Sequence, residues 1–172
     1  MTIANMIEEV RMVFPSAGDT LVTSDIYQGQ RDMASKALLH SVAFEDWTTA
    51  TDLSGLANEF YQIKTIVFYD SADNVRYTQY KIQDDLIVVG NDDVTTFSGE
   101  YYYLPTNIAI SIAEEFHEGL VQYALAKTAL RAGDQRYQAF LNNYKEAVRD
   151  AKKKSNSEDM GAGLHFNLGV DI

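Results

Sequence analysis

The chain is predicted to be α+β: a small helical bundle, made of an N-terminal helix pair and a C-terminal helical hairpin, with an inserted antiparallel β-meander and an extended C-terminal arm. Three observations predict it. Apolar residues recur at helical spacing in the first 42 residues and again from about 111 to 154. Between about 59 and 104 the period falls to two. The last nine residues then alternate without a miss: Leu164, Phe166, Leu168, Val170 and Ile172 are apolar, and the residues between them are not.

The first helix is expected over residues 2–14. Ile3, Met6, Ile7, Val10 and Phe14 form one face, Thr2 is placed to cap, and Pro15 stops the run. A second helix is expected over 24–42, opened by Thr23, Ser24 and Asp25 and carrying Ile26, Met33, Ala37, Leu38 and Val42, with Gly29 weakening its first turns. Ala43 to Gly55 is mixed, and Phe44 and Trp47 are its expected core anchors.

The runs EFYQIKTIVFYD, VRYTQYKI, LIVV and EYYYL read as three or four strands. Polar turns at Ser71 to Asn74, Gln83 to Asp85, Gly90 to Asp93 and Ser98-Gly99 separate them at spacings that suit a meander. Tyr61, Tyr69, Tyr77, Tyr80 and Tyr101 to Tyr103 give these strands side chains with an apolar body and a polar tip, common on half-exposed sheets and at interfaces.

Pro105 closes the sheet. Helices are expected over 111–132 and 134–154, the first with capping-box spacing between Ser111 and Glu114, and the two joined by Gly133-Asp134 as cap and turn. The second carries an apolar stripe of Tyr137, Phe140, Leu141, Tyr144, Val148 and Ala151 and ends at Lys152 to Lys154, where positive charge suits a helix C-terminus. Residues 1–154 thus read as a single domain. Residues 155–172 read as a polar linker, SNSEDMGAG, and an arm that either folds back onto its own sheet or joins another chain as an added strand.

Composition narrows the function classes. At 172 residues and 46% hydrophobic, the chain suits one globular domain that buries roughly 70% of its unfolded surface. It has no run of 18 apolar residues, and MTIANMIEEV lacks the layout of a signal peptide, so a soluble chain without a membrane partner is expected. There is no cysteine, hence no disulfide or thiolate metal site. A net charge of −11 works against gripping nucleic acid, because only Lys152 to Lys154 form a basic run.

The chemistry-bearing residues are scattered. His40, His117 and His165 form no pair at metal-ligand spacing. Glu114 and His117 have the i, i+3 relation of a di-iron carboxylate site, but the partner helix 134–154 has no histidine. Asp84-Asp85 and Asn91-Asp92-Asp93 lack the alternating spacing of a calcium loop and fit turn chemistry. Without a nucleophile-elbow, zinc-protease, phosphate-loop or dinucleotide motif, neither an enzyme nor a cofactor is expected.

The arrangement resembles the head-to-tail adaptor (connector) proteins of tailed bacteriophages. The resemblance is most specific in YYYLPTNIAISIAEEFHEGLVQYALAKTALRAGDQRYQAFLNNYKEAVRDA, where Glu114 to Phe116, Val121 to Ala126, Gly133-Asp134 and Tyr144 carry the match. It covers most of the chain as architecture and about residues 100–151 as motif. Ala43 to Asn58 matches no pattern of the family.

That resemblance implies a structural protein of the virion neck, made in the host cytoplasm. Such proteins form a dodecameric ring beneath the portal, join head to tail and continue the DNA channel. The implied partners are the portal protein, neighbouring adaptor subunits, and the tail or next neck protein. Double-stranded DNA would pass without specific binding, since a negative wall repels the duplex and lets it slide. The resemblance also favours an intermolecular role for the arm, with Leu164, Phe166, Leu168, Val170 and Ile172 as docking residues. Two alternatives follow from the same residues: another neck or tail-completion (stopper) ring protein, or a small acidic DNA-mimic inhibitor.

Overall fold

The computed structural model describes residues 1–37, 39–106 and 109–161. The chain is α+β, with four α-helices, a four-stranded antiparallel sheet and a separate two-stranded hairpin among the described residues. No described helix is long and apolar enough to cross a membrane. The chain groups into two compact units, a helical one from Met1–Gly29 and Ile112 onward, and a sheet-bearing one from Gln30–Ser111.

In the helical unit, α1 (Ile3–Val13) begins as expected at Thr2, whose Oγ1 accepts from the Asn5 N–H at 3.3 Å, and it buries Met6 and Val10. Helix α2 (Asp19–Ala37) starts before residue 24 and ends before 42. Thr23, Ser24 and Asp25, expected to open it, lie inside it. Their cap-like chemistry has another use, because the buried Asp25 carboxylate accepts both terminal nitrogens of Arg131, with Nη1 at 3.1 Å. The same contact holds the Arg131 guanidinium above its ordinary pKa.

The expected capping box at Ser111 does not form. Its backbone N–H donates to Gln30 Oε1 at 2.8 Å, a 3-10 turn follows at Glu114–Phe116, and α3 runs over His117–Ala132. Gly133 ends α3 in the left-handed region, φ 67°, which a residue with a Cβ adopts at a cost. Asp134 then caps α4 (Tyr137–Gly161), its Oδ1 accepting from the Arg136 N–H at 2.8 Å.

Helix α4 overruns the expected end at 154, so residues 155–161 are helix and not a linker. Ser, Asn, Glu and Asp carry only small helix penalties, and adding residues to a nucleated helix is cheap. The Ser157 hydroxyl bonds the Lys154 carbonyl at 2.7 Å within the helix. The α4 stripe is also less buried than expected: Tyr144 and Ala151 are buried, whereas Tyr137, Phe140, Leu141 and Val148 are half-exposed. Helix α3 packs against both α1 and α4, burying Leu120, Val121, Ala124, Leu125 and Ala129.

Gly29 has a packing reason. A Cβ there would lie 3.0 Å from the Tyr123 ring. Tyr123 stacks edge-on against Tyr144 at 4.9 Å, and the Tyr144 hydroxyl donates to the Gly29 carbonyl at 3.2 Å. The helix-propensity cost of about 1 kcal/mol for a glycine is thus offset by the close seat of two aromatic rings.

The sheet-bearing unit holds β1 (Ser41–Trp47), β2 (Glu59–Tyr69), β3 (Val75–Arg76), β4 (Tyr80–Gln83), β5 (Leu86–Val89) and β6 (Thr96–Leu104). Strand β1 occupies sequence assigned to the end of a helix and to a mixed connector. Val42 fits either period, and a bulge hides the strand. Phe44 pairs with Gly99 and Trp47 with Phe97, so β1 spends one residue more than β6, with Asp46 at φ 54°. The extra residue returns Trp47 to the face of Phe44, where the rings stack at 4.0 Å.

The strands do not follow one another as a meander. The antiparallel order is β1-β6-β2-β3, and β4-β5 forms its own hairpin. The long β6 carries Phe97, Tyr101 and Tyr103 to the core side with clean alternation and serves two neighbours. Two bulges, at Tyr61 and Lys64, re-phase β2 so that Phe60, Ile63, Ile66 and Phe68 share the core face.

At the crossing of these strands a Cβ on Gly99 would meet the Thr65 carbonyl oxygen at 2.1 Å and the Ile66 Cα at 3.0 Å. Both obstacles are backbone of a central pair, so neither swings aside. Gly99→Ala is expected to destabilise the sheet by about 3 kcal/mol, the upper end for an added methyl group in a packed core, read as a lowered melting temperature. An unchanged melting temperature would mean that β2 moves away without cost.

Candidate interaction surface

The strand unit leaves a set of large apolar side chains in solvent: Tyr61 and Val67 on β2, Val75 on β3, Tyr77 beyond it, Tyr80 and Ile82 on β4, and Val88 on β5. Each position has a local cause. Tyr61 is the extra residue of a bulge, so it falls outside the alternation that buries its neighbours. Val67 stands opposite in phase to the buried Phe68, and Val75 is the cross-strand partner of Tyr69 on that outer face. Tyr77 is 88% exposed, more than any other large apolar residue described.

The hairpin places the next members. Asp84 and Asp85, with φ of 52° and 59°, supply the two left-handed positions of a tight turn, which accounts for the acidic pair. Across it Tyr80 faces Val89 and Ile82 faces the fully buried Ile87. Tyr80 packs on Phe68 at 5.8 Å. Yet all four residues of β4 are exposed, and among the described residues β4 pairs only with β5. Its other edge therefore carries backbone donors and acceptors beside Tyr80 and Ile82. A depression of about 240 Å³ lies over the hairpin itself, lined by Gln79, Tyr80 and Lys81 and, across the pair, Val88, Val89 and Gly90. Such an edge can take an extended chain as a further strand, with backbone hydrogen bonds for affinity and apolar side chains for register.

The turns that frame this surface are held by carboxylates. Asp70 accepts from the Ala72 and Asn74 N–H groups at 2.8 and 3.0 Å and from Arg76 Nη2 at 2.6 Å. These hydrogen bonds, the Asn74 backbone contact first, hold its carboxyl well below the usual carboxylate range. A carboxyl with a lower pKa folded than unfolded stabilises the fold fully above the unfolded value of about 3.9. The contribution is lost as the pH falls below that value and through the folded one. Asp70→Asn is therefore expected to flatten the decline of melting temperature below about pH 4. An equally steep decline in the variant would assign acid sensitivity to other groups. At the start of β2, Arg31 likewise depresses the Glu59 carboxyl through a 2.6 Å contact, and burial raises the Tyr101 phenol and lowers the His40 imidazole.

The residues singled out from sequence fall in different places. The docking residues Leu164, Phe166, Leu168, Val170 and Ile172 lie outside the described residues. Of the tyrosines, Tyr61, Tyr77 and Tyr80 belong to the surface, whereas Tyr101 and Tyr102 are buried. Glu114 is turned to the Met1 amino group. His117 is buried, with Nδ1 3.0 Å from the Met1 carbonyl and Nε2 3.1 Å from that of Ile112, so both ring nitrogens face backbone oxygens. Asn91 forms a turn by accepting the Asp93 N–H at 3.0 Å.

Sequence reasoning missed the aliphatic members Val67, Val75, Ile82 and Val88. YKIQ alternates as a half-buried strand does, and nothing local tells that β4 is an edge. No protein-family model and no curated protein matches this chain.

Proposed function

We propose that this chain is a structural, non-enzymatic neck protein of a tailed-phage virion, which assembles as a ring beneath the portal, joins head to tail and continues the DNA channel. The observation that carries the reading is the free β4 edge with its flanking apolar side chains, a surface that costs solubility unless a partner covers it. Support also comes from the resemblance over about residues 100–151 and from the α+β architecture that the family leads one to expect. The net charge of −11 suits a wall past which DNA slides. In this reading the portal, neighbouring subunits and the tail-side protein are the partners, and residues 164–172 dock on one of them.

The test is native mass measurement of the full chain alone and mixed with portal. A monomer or weak oligomer alone, and a ring on the portal, is the expected result, because a template aligns interfaces too weak to close unaided. A Tyr77→Asp variant, at the most exposed ring of the surface, should weaken the ring and keep its melting temperature. A wild-type chain that never associates with portal would refute the reading.

A further inference from the structure

We infer that the groove between α3 and α4 receives the outward face of α1 from a second copy of this chain. The inference deepens the ring reading and rests on it for the self-association of copies. The groove has a volume of about 200 Å³ and is lined by Tyr123, Ala126, Lys127 and Leu130 of α3 and Tyr137 and Leu141 of α4. Leu130 is 59% exposed although it lies on a helix whose other apolar residues are mostly buried. The half-exposed stripe of α4 borders the same space, so an apolar occupant would complete a seam that the helical hairpin leaves open.

One charged residue lines the groove, and it is a cation, with a second lysine one turn beyond the lining. Lys127 lies over the Tyr123 ring at 5.3 Å, and Lys145 follows Leu141 by one helical turn. Neither forms a salt bridge among the described residues, whereas most of the chain's Lys and Arg residues do.

The complementary feature is on α1. Met12 is 76% exposed, and it lies on the side of the helix away from the buried Met6 and Val10. Glu8 precedes it by one turn and is also exposed. Arg11 beside them is already paired with Asp19 at 2.6 Å, so the charge left on this face is negative. A flexible thioether suits an irregular aromatic-walled groove, and sulfur makes favourable contacts with rings. Seating Met12 among Leu130, Tyr137 and Leu141 would bring Glu8 toward Lys127. Because the two patches are different surfaces of one chain, the contact is head-to-tail and repeats from copy to copy.

The chain has no cysteine, which makes the test clean. Full-length Met12→Cys and Leu130→Cys chains, distinguishable by mass, are mixed and oxidised, alone and with portal. The expected product is the mixed disulfide, several-fold above either like-with-like product. Lys127→Glu in the Leu130→Cys chain should suppress it several-fold, and Glu8→Lys in the Met12→Cys chain should restore it. Absence of an excess of mixed product, or indifference to the charge reversals, would overturn the inference. Portal attachment scored on the same samples separates the two readings: attachment without the mixed disulfide refutes this contact alone, and loss of attachment by the wild-type chain refutes the ring itself.

Discussion

Tyr144→Ala is expected to destabilise the protein by about 3 to 5 kcal/mol, a fall in melting temperature of roughly 6 to 20 °C for a chain of this length. Tyr144 is among the largest fully buried side chains. Truncation opens a cavity against Tyr123, removes the edge-on ring contact at 4.9 Å and deletes the hydroxyl that donates to the Gly29 carbonyl. Tyr144→Phe removes only that hydrogen bond and should cost about 1 kcal/mol. Phe140→Ala, on the same stripe, removes a half-exposed ring that meets Phe14 edge-on at 6.3 Å, and should cost less than half as much as Tyr144→Ala. Equal losses at the two positions would mean that the outer side of α4 is covered after all.

If the chain docks on a portal as proposed, deleting residues 164–172 is expected to leave the melting temperature nearly unchanged and to abolish stable attachment. The energetics explain why both outcomes go together. Burying Leu164, Phe166, Leu168, Val170 and Ile172 yields about 7 to 15 kcal/mol gross, and ordering the nine residues costs roughly 13 kcal/mol. One arm alone therefore gains little. A preformed strand edge that supplies backbone hydrogen bonds, repeated around a ring, converts that small gain into firm attachment. A truncated chain that melts well below the full-length protein would place the strand in its own domain instead.

These two experiments weigh different parts of the sequence reading. The helix identities were legible because α1, α3 and α4 carry their own caps and punctuation: Thr2 before α1, Gly133 after α3, Asp134 before α4. The α2 boundaries were not, because Asp25 looks like a cap and is instead a buried partner of Arg131, a residue over one hundred positions away. Likewise β1 was hidden by a bulge at Asp46, whose extra residue breaks the period by which a strand is recognised.

For the candidate surface the division is sharper. The tyrosine-rich strands and the polar turns at Ser71 to Asn74, Gln83 to Asp85 and Gly90 to Asp93 could be read directly, since apolar alternation and paired aspartates are local signals, whereas Ser98-Gly99, expected as a turn, lies inside β6. Which of those tyrosines lie buried and which lie open could not. Tyr101 and Tyr80 both stand in strand-forming runs, yet one sits on β6, paired on both sides, and the other on β4, paired on one. The sequence by itself determined the fold class, the helical hairpin and the strand-forming character of residues 59–104, because caps, turns and periodicity act over a few residues. Only the tertiary structure decided the strand order, the free β4 edge, and the glycine contacts at Gly29 and Gly99. Those depend on which distant segments meet, and a local pattern carries no record of its partner.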